Sequence, residues 1–275
     1  MRVDGKIIAQ KILESLKKSI DQFHLCPTLA VILVGEDQAC LSYIKQKQKA
    51  AEFIRAKIIV KKLPENTTTE NLLKIIGETN KNPKVNGIII QLPLPAHLNP
   101  GLILPYIAPE KDVDGFHPDS PFTPPVAMAV LKILEEIKKL NFQFGSPLGV
   151  FNFQFLVIGR GMTAGKPIAK TLKKSGYKIS IAHSKTRNLE AAVKKADVII
   201  SCVGKPEIIK AKMLKPAAIV IGVGIHRTAE GKLAGDFDEE KISKVASFYT
   251  PTPGGVGPIN VACLMENLFK AAWGK

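Results

Sequence analysis

The sequence predicts an α/β protein made of two α/β domains, each organised around a parallel sheet. Three observations carry that prediction. Short, β-branched apolar runs alternate with helical patterns from one end of the 275 residues to the other. Parallel strands need a crossover between them, and a helix is the usual crossover. The stretch 141–149, NFQFGSPLG, breaks the alternation and separates a first α/β unit from a second. Beyond it, a glycine-rich turn joins an apolar run directly to a helical one, the arrangement of a Rossmann-type dinucleotide-binding unit.

The elements follow in order. MRVDGKIIAQKILESL reads as a short strand and then an amphipathic helix over 7–20, not as a signal peptide. Buried strands are predicted at 29–34, 58–61, 87–91, 155–158, 178–182, 198–202 and 218–221. Helices are predicted at 42–53, 69–79, 124–140, 166–174 and 189–195, with a last one from Pro258 onward. Such runs imply sheets covered on both faces. The first domain is placed at 1–123, completed by the helix 258–275, and the second at 124–257.

Composition excludes several classes. Hydrophobic residues make up 45% of the chain and no apolar run approaches the ~18 residues of a membrane span. The four cysteines, Cys26, Cys40, Cys202 and Cys263, lie far apart without CxxC spacing, so free thiols in a reducing cytoplasm are expected and no metal site is. The net charge of +15 comes from lysine pairs spread along the chain without interleaved aromatics. A nucleic-acid binder concentrates its charge on one groove or platform. Solubility, or attraction of small anions, is the better reading.

Four motifs carry chemistry. TPTPGGVGP, 250–258, holds three prolines and three glycines in nine residues. So stiff a segment suits either a tight interdomain turn or a backbone wall laid against a planar ligand. Gly159-Arg160-Gly161 opens the glycine turn, and the next strand ends in Ala182-His183-Ser184-Lys185-Thr186-Arg187. An NAD site wants a carboxylate there for the ribose hydroxyl. Hydroxyls and cations stand there instead, which suits the 2′-phosphate of NADP, with Arg160 as a second charged contact. In the first half, Tyr43 and Lys47 sit at i and i+4 on one helix face, whereas Lys45 and Lys49 point elsewhere. The run 87–91 ends in Gln91, at a strand's carboxyl end, followed by Leu92 and Pro93. Asp112 and Asp114 share a loop, where they are either turn caps or partners for a ligand's N–H groups.

Taken in order, VGED…YIKQK, GIIIQLPLP, KDVDGFHP, GRGMTAGKP, AHSKTRNL, VGI and TPTPGGVGP resemble the bifunctional methylenetetrahydrofolate dehydrogenase/methenyltetrahydrofolate cyclohydrolase family over nearly the whole chain. The resemblance implies a homodimeric, cytoplasmic enzyme of one-carbon metabolism. In it an N-terminal folate-binding catalytic domain and an NADP-binding Rossmann-type domain share a substrate cleft. Lys47 is then the catalytic lysine, held by Tyr43 and Gln91. Tyr43 also stacks on the folate, Asp114 bonds the pterin edge, Leu92 and Pro93 adjoin it, and Pro253, Gly254 and Gly255 form the opposite wall. Gly159, Arg160, Gly161, Ser184 and Ile225 map to the dinucleotide. The folate substrate can carry a polyglutamate tail; no nucleic acid, membrane or metal is implied. The chain departs from the family pattern at Gly161, Ala164, Phe122, Gly222, Asn260 and Cys40, and its segment after Phe116 is shorter.

Two rival readings stand beside this one. A short-chain dehydrogenase also uses YxxxK, but there the glycine turn precedes it, whereas Tyr43 and Lys47 come long before Gly159. A nonenzymatic folate or nucleotide binder has no need of a proton-transfer lysine.

Overall fold

The computed structural model describes residues 1–143 and 153–274. The predicted break at 141–149 therefore lies, from residue 144 on, outside the described residues. The chain divides into two compact units, one of residues 10–125 and 261–275, the other of residues 1–9 and 126–260. The first nine residues thus group with the later unit. The reason is backbone pairing: Val3 N donates to Tyr249 O at 2.8 Å, and Tyr249 N to Met1 O at 3.0 Å.

The first unit holds a parallel sheet of order β2-β1-β3. Its strands are β1 (Thr28–Val34), β2 (Lys57–Leu63) and β3 (Gly87–Ile90), and its main helices are α1 (Gly5–Gln22, shared with the other unit), α2 (Gln38–Phe53) and α3 (Thr69–Lys81). β1 is TLAVILV, buried throughout, and its alternation splits two cores. Leu29, Val31 and Leu33 pack with α1, α2 and the C-terminal helix, while Ala30, Ile32 and Val34 pack with Leu72 and Ile76 of α3. β2 is an edge strand with alternating exposure, so full cover on both faces holds for the central strand and not for this one. A short helix α4 (Pro100–Ile103) follows β3 and was not predicted; Asn99 caps it.

The second unit opens with α5 (Pro125–Gln143). It carries a five-stranded parallel sheet of order β10-β7-β6-β4-β5. In chain order its elements are β4 (Gln154–Ile158), α6 (Gly165–Lys174), β5 (Lys178–Ala182), α7 (Leu189–Lys195), β6 (Val198–Ser201) and β7 (Ile219–Gly222). An antiparallel hairpin, β8 (Ile225–Arg227) with β9 (Leu233–Gly235), then α8 (Glu239–Ser243) and β10 (Phe248–Tyr249), come next. These last four are too short to show a period in the sequence. The closing helix α9 (Val256–Trp273) begins two residues before the predicted Pro258. Because all five strands run parallel, their carboxyl ends share one edge, where ligands of open α/β sheets bind.

Candidate active site

In α2 the residues Cys40, Ile44, Ala50 and Ala51 are buried, and Tyr43 and Lys47 are partly so, while Lys45 and Lys49 are exposed. That spacing is a helical stripe with a lysine set into it. Asp37 caps the helix by accepting from Cys40 N at 2.8 Å. Burial pulls the Lys47 ammonium below the ordinary lysine range, and the charge of Asp114 opposes it.

β3 delivers Gln91 at its carboxyl end, where Gln91 N donates to Ile32 O at 2.8 Å and so continues the ladder. The Gln91 carboxamide is then fixed at both ends: Nε2 donates to Leu92 O at 2.9 Å, and Oε1 accepts from Lys47 Nζ at 2.9 Å. Cys40 Sγ also donates to Leu92 O, at 3.4 Å. The Leu92–Pro93 peptide is cis. Burial, with the Asp37 charge, pushes the Cys40 thiol up to about 11, so it is a neutral donor here and not a nucleophile. Tyr43 lies one turn from Lys47 on the same face but makes no hydrogen bond to it, so Gln91 alone of the two expected holders bonds the amine. Burial raises the Tyr43 hydroxyl as well.

Asp114 is the fourth member. Burial pushes its carboxyl up to about 6, against the Lys47 charge and with that of Asp112. The loop bearing it is held by partners the sequence reading passed over. Lys111 is buried and closes the C-terminal end of α3, donating to Asn80 O at 2.6 Å and Asn82 O at 2.8 Å. Asp112 accepts from His117 N at 2.6 Å. From α9, Asn267 Nδ2 donates to Val113 O and Thr123 O, both at 2.9 Å. The sequence carried a signal for it: Asn267 is an amide buried among apolar residues of a core helix. Lys47 is thus hydrogen-bonded to Gln91 and charge-coupled to Asp114, with Tyr43 on the same helix face.

In the second unit the strand ends carry the other predicted residues. Gly159 and Arg160 follow β4, Ser184 follows β5, Ile225 opens β8 just after β7, and Pro253, Gly254 and Gly255 lie between β10 and α9. Gly159 has φ +107°, and a Cβ on Gly165 would stand 2.1 Å from Gly159 O, so the turn packs as tightly as a phosphate cradle requires. A Cβ on Gly161 would meet nothing within 4 Å, leaving the space over the helix start open. Arg160, just after β4, and Ser184, Lys185 and Arg187, just after β5, are exposed. These residues fit a dinucleotide bearing an extra phosphate.

The Pro-Gly segment has an internal reason too. Gly5 N donates to Gly254 O at 2.8 Å, and a Cβ on Gly5 would lie 1.8 Å from Gly255 O. Gly5 therefore lets the start of α1 lie against this backbone, and Gly254, at φ +105°, holds a conformation that favours glycine. Among the described residues no group of three or more His, Cys, Asp or Glu could hold a metal, and no helix is long and apolar enough to cross a membrane.

Comparison with known proteins agrees with the two-unit α/β fold. Residues 3–114 match the tetrahydrofolate dehydrogenase/cyclohydrolase catalytic domain, and residues 125–275 the NAD(P)-binding domain of the same family. The bifunctional protein FolD of Thermodesulfovibrio yellowstonii is 42% identical over 98% of this chain and 96% of its own. The crystal structure of the bifunctional methylenetetrahydrofolate dehydrogenase/cyclohydrolase FolD from Campylobacter jejuni superposes with a TM-score of 0.92 at 37% identity, covering 100% of this chain and 99% of that one. The Trypanosoma brucei enzyme, solved with NADP cofactor and inhibitor, gives 0.88 at 29% identity over 98% and 97%. The chain belongs to the tetrahydrofolate dehydrogenase/cyclohydrolase family.

Proposed function

We propose that this chain oxidises 5,10-methylenetetrahydrofolate to the methenyl form with NADP and hydrolyses that product to 10-formyltetrahydrofolate. The carrying observation is the coupling of Lys47 to Gln91 and Asp114 in a partly buried cluster. Lys47 is the proton carrier of the hydrolysis. A lysine acts as a base only when neutral, and burial favours that form. Gln91 aims the amine by accepting a hydrogen bond from it. Asp114, ionised above about pH 6, accepts from the pterin N–H groups. Tyr43 offers its ring to the folate, Leu92 and Pro93 continue that surface, and Pro253, Gly254 and Gly255 present backbone to it.

NADP, when bound, supplies the hydride acceptor. Gly159 and Gly161 hold its phosphates by backbone approach, Arg160 and Ser184 take the 2′-phosphate, and Ile225 contributes apolar contact. The oxidation needs alignment and no general base. The reading extends to a cytoplasmic homodimer, tested by sedimentation of the purified chain. It extends also to folates with polyglutamate tails, which the exposed Lys45 and Lys49 attract.

The deciding experiment assays the two reactions separately on purified protein: NADPH formation from the methylene substrate, and loss of added methenyl substrate without dinucleotide. Both are expected. Folate binding with neither rate above background would leave a binding protein in place of the enzyme.

A further inference from the structure

We propose that Asp236 is a positioning residue for dinucleotide binding, acting through the loop 201–205; the proposal rests on the reading of this unit as the NADP domain. Asp236 follows β9 and is 0% exposed. Three donors from the end of β6 and the turn after it converge on its carboxylate. Oδ2 accepts from Ser201 Oγ at 2.5 Å and from Val203 N at 3.0 Å, and Oδ1 accepts from Lys205 N at 2.9 Å. A buried carboxylate is costly unless its oxygens are met, and among the described residues this segment meets them.

That loop lies between two parts of the candidate dinucleotide site. On one side, Cys202 N donates to Ile158 O at 2.8 Å, and a Cβ on Gly159 would lie 2.8 Å from Cys202 O. The glycine turn therefore rests on the loop backbone. On the other side, Ser201 O accepts from Val223 N at 2.8 Å and Gly224 N at 2.9 Å, which fixes the approach to Ile225. The carboxylate itself closes against this segment, since a Cβ on Gly224 would come within 2.3 Å of Asp236 Oδ2. One side chain thus sets the spacing of Gly159 and Ile225 without being at either. A carboxamide of the same size accepts through one oxygen only and turns an NH2 onto at least one of the three donors. The loop must then shift, and both contacts move with it.

The test uses the full chain and measures NADP Kd, the KM and kcat of oxidation, dinucleotide-free hydrolysis and the melting temperature. Asp236→Asn is expected to raise Kd and KM for NADP about tenfold, with kcat and hydrolysis within about twofold of the parent. Ser201→Ala keeps the carboxylate and its two backbone donors, and is expected to raise both constants about threefold. It carries the test alone if Asp236→Asn does not fold. A lower melting temperature with unaltered Kd and KM in either folded variant overturns the positioning role. A parent protein that binds no NADP overturns the domain reading itself.

Discussion

Lys47 Nζ donates to Gln91 Oε1 over 2.9 Å, joining the inward face of α2 to the carboxyl end of β3. The bond restrains the amine, while burial lowers its affinity for the proton. Gln91 can do this because Leu92 O takes its Nε2 donor, so its oxygen is the end that faces the lysine. An amine restrained in this way can meet a water at a fixed place, as proton transfer requires.

Asp114 is expected to trade stability for binding. Its folded pKa, about 6, lies above the ordinary 3.8, so ionisation is harder in the folded state. The resulting loss of stability sets in as pH rises from the lower value through the upper one. Asp114→Asn should therefore be more stable than the parent well above pH 6, by about 3 kcal/mol, and equal to it in acid below the ordinary carboxylate pKa. Asp114→Ala should weaken folate binding about 10–100-fold, because pterin N–H groups lose a charged acceptor. Denaturation across pH and folate titration check the two halves, and an unaltered folate affinity refutes the contact.

The pH profile follows from the same groups. In the proposed roles, hydrolysis needs Asp114 ionised and Lys47 neutral, and both forms grow with rising pH. kcat/KM for hydrolysis should climb through the region near 6 and keep rising on the alkaline side. In Asp114→Asn the limb near 6 should vanish. A profile that falls with pH contradicts these assignments.

Arg160 is exposed beside the glycine turn. Arg160→Ala should raise the KM for NADP about tenfold and that for NAD far less, since only NADP offers a 2′-phosphate to a guanidinium. Equal loss for both dinucleotides would assign Arg160 to the pyrophosphate or to the fold.

How far these features were readable in advance depended on length and locality. β1 and α2 were legible because seven apolar residues and a helical stripe each declare one period. β8, β9, α8 and β10 span five residues or fewer each and carry no period to read. Lys47, Gln91 and Asp114 were singled out through motifs, and the structure adds the hydrogen bond and the charge that couple them. Asn267 and Asp236 escaped because their roles come from chain segments far from them in sequence: Asn267 bonds Val113 and Thr123, and Asp236 bonds Ser201, Val203 and Lys205. The start of the chain shows the same limit, since its grouping with the later unit rests on pairing with Tyr249.

Lys45 and Lys49 project outward from α2, away from the buried stripe. If they draw a polyglutamate tail, a pentaglutamyl substrate should show a lower KM than the monoglutamyl one at low ionic strength. Salt should remove the difference, because exposed charges are screened within about 10 Å at 0.1 M. Equal constants at low salt would leave solubility as the role of these lysines.

The most direct test of the central claim is the fate of the methenyl product in Lys47→Ala. With methylene substrate and NADP, the parent should form 10-formyltetrahydrofolate with little methenyl accumulation. Lys47→Ala should bind folate and, where it still oxidises, accumulate methenyl product in step with NADPH, its hydrolysis slowed at least about 100-fold. Hydrolysis at the parental rate in that variant would contradict the account, because the proton carrier would then have to be another group.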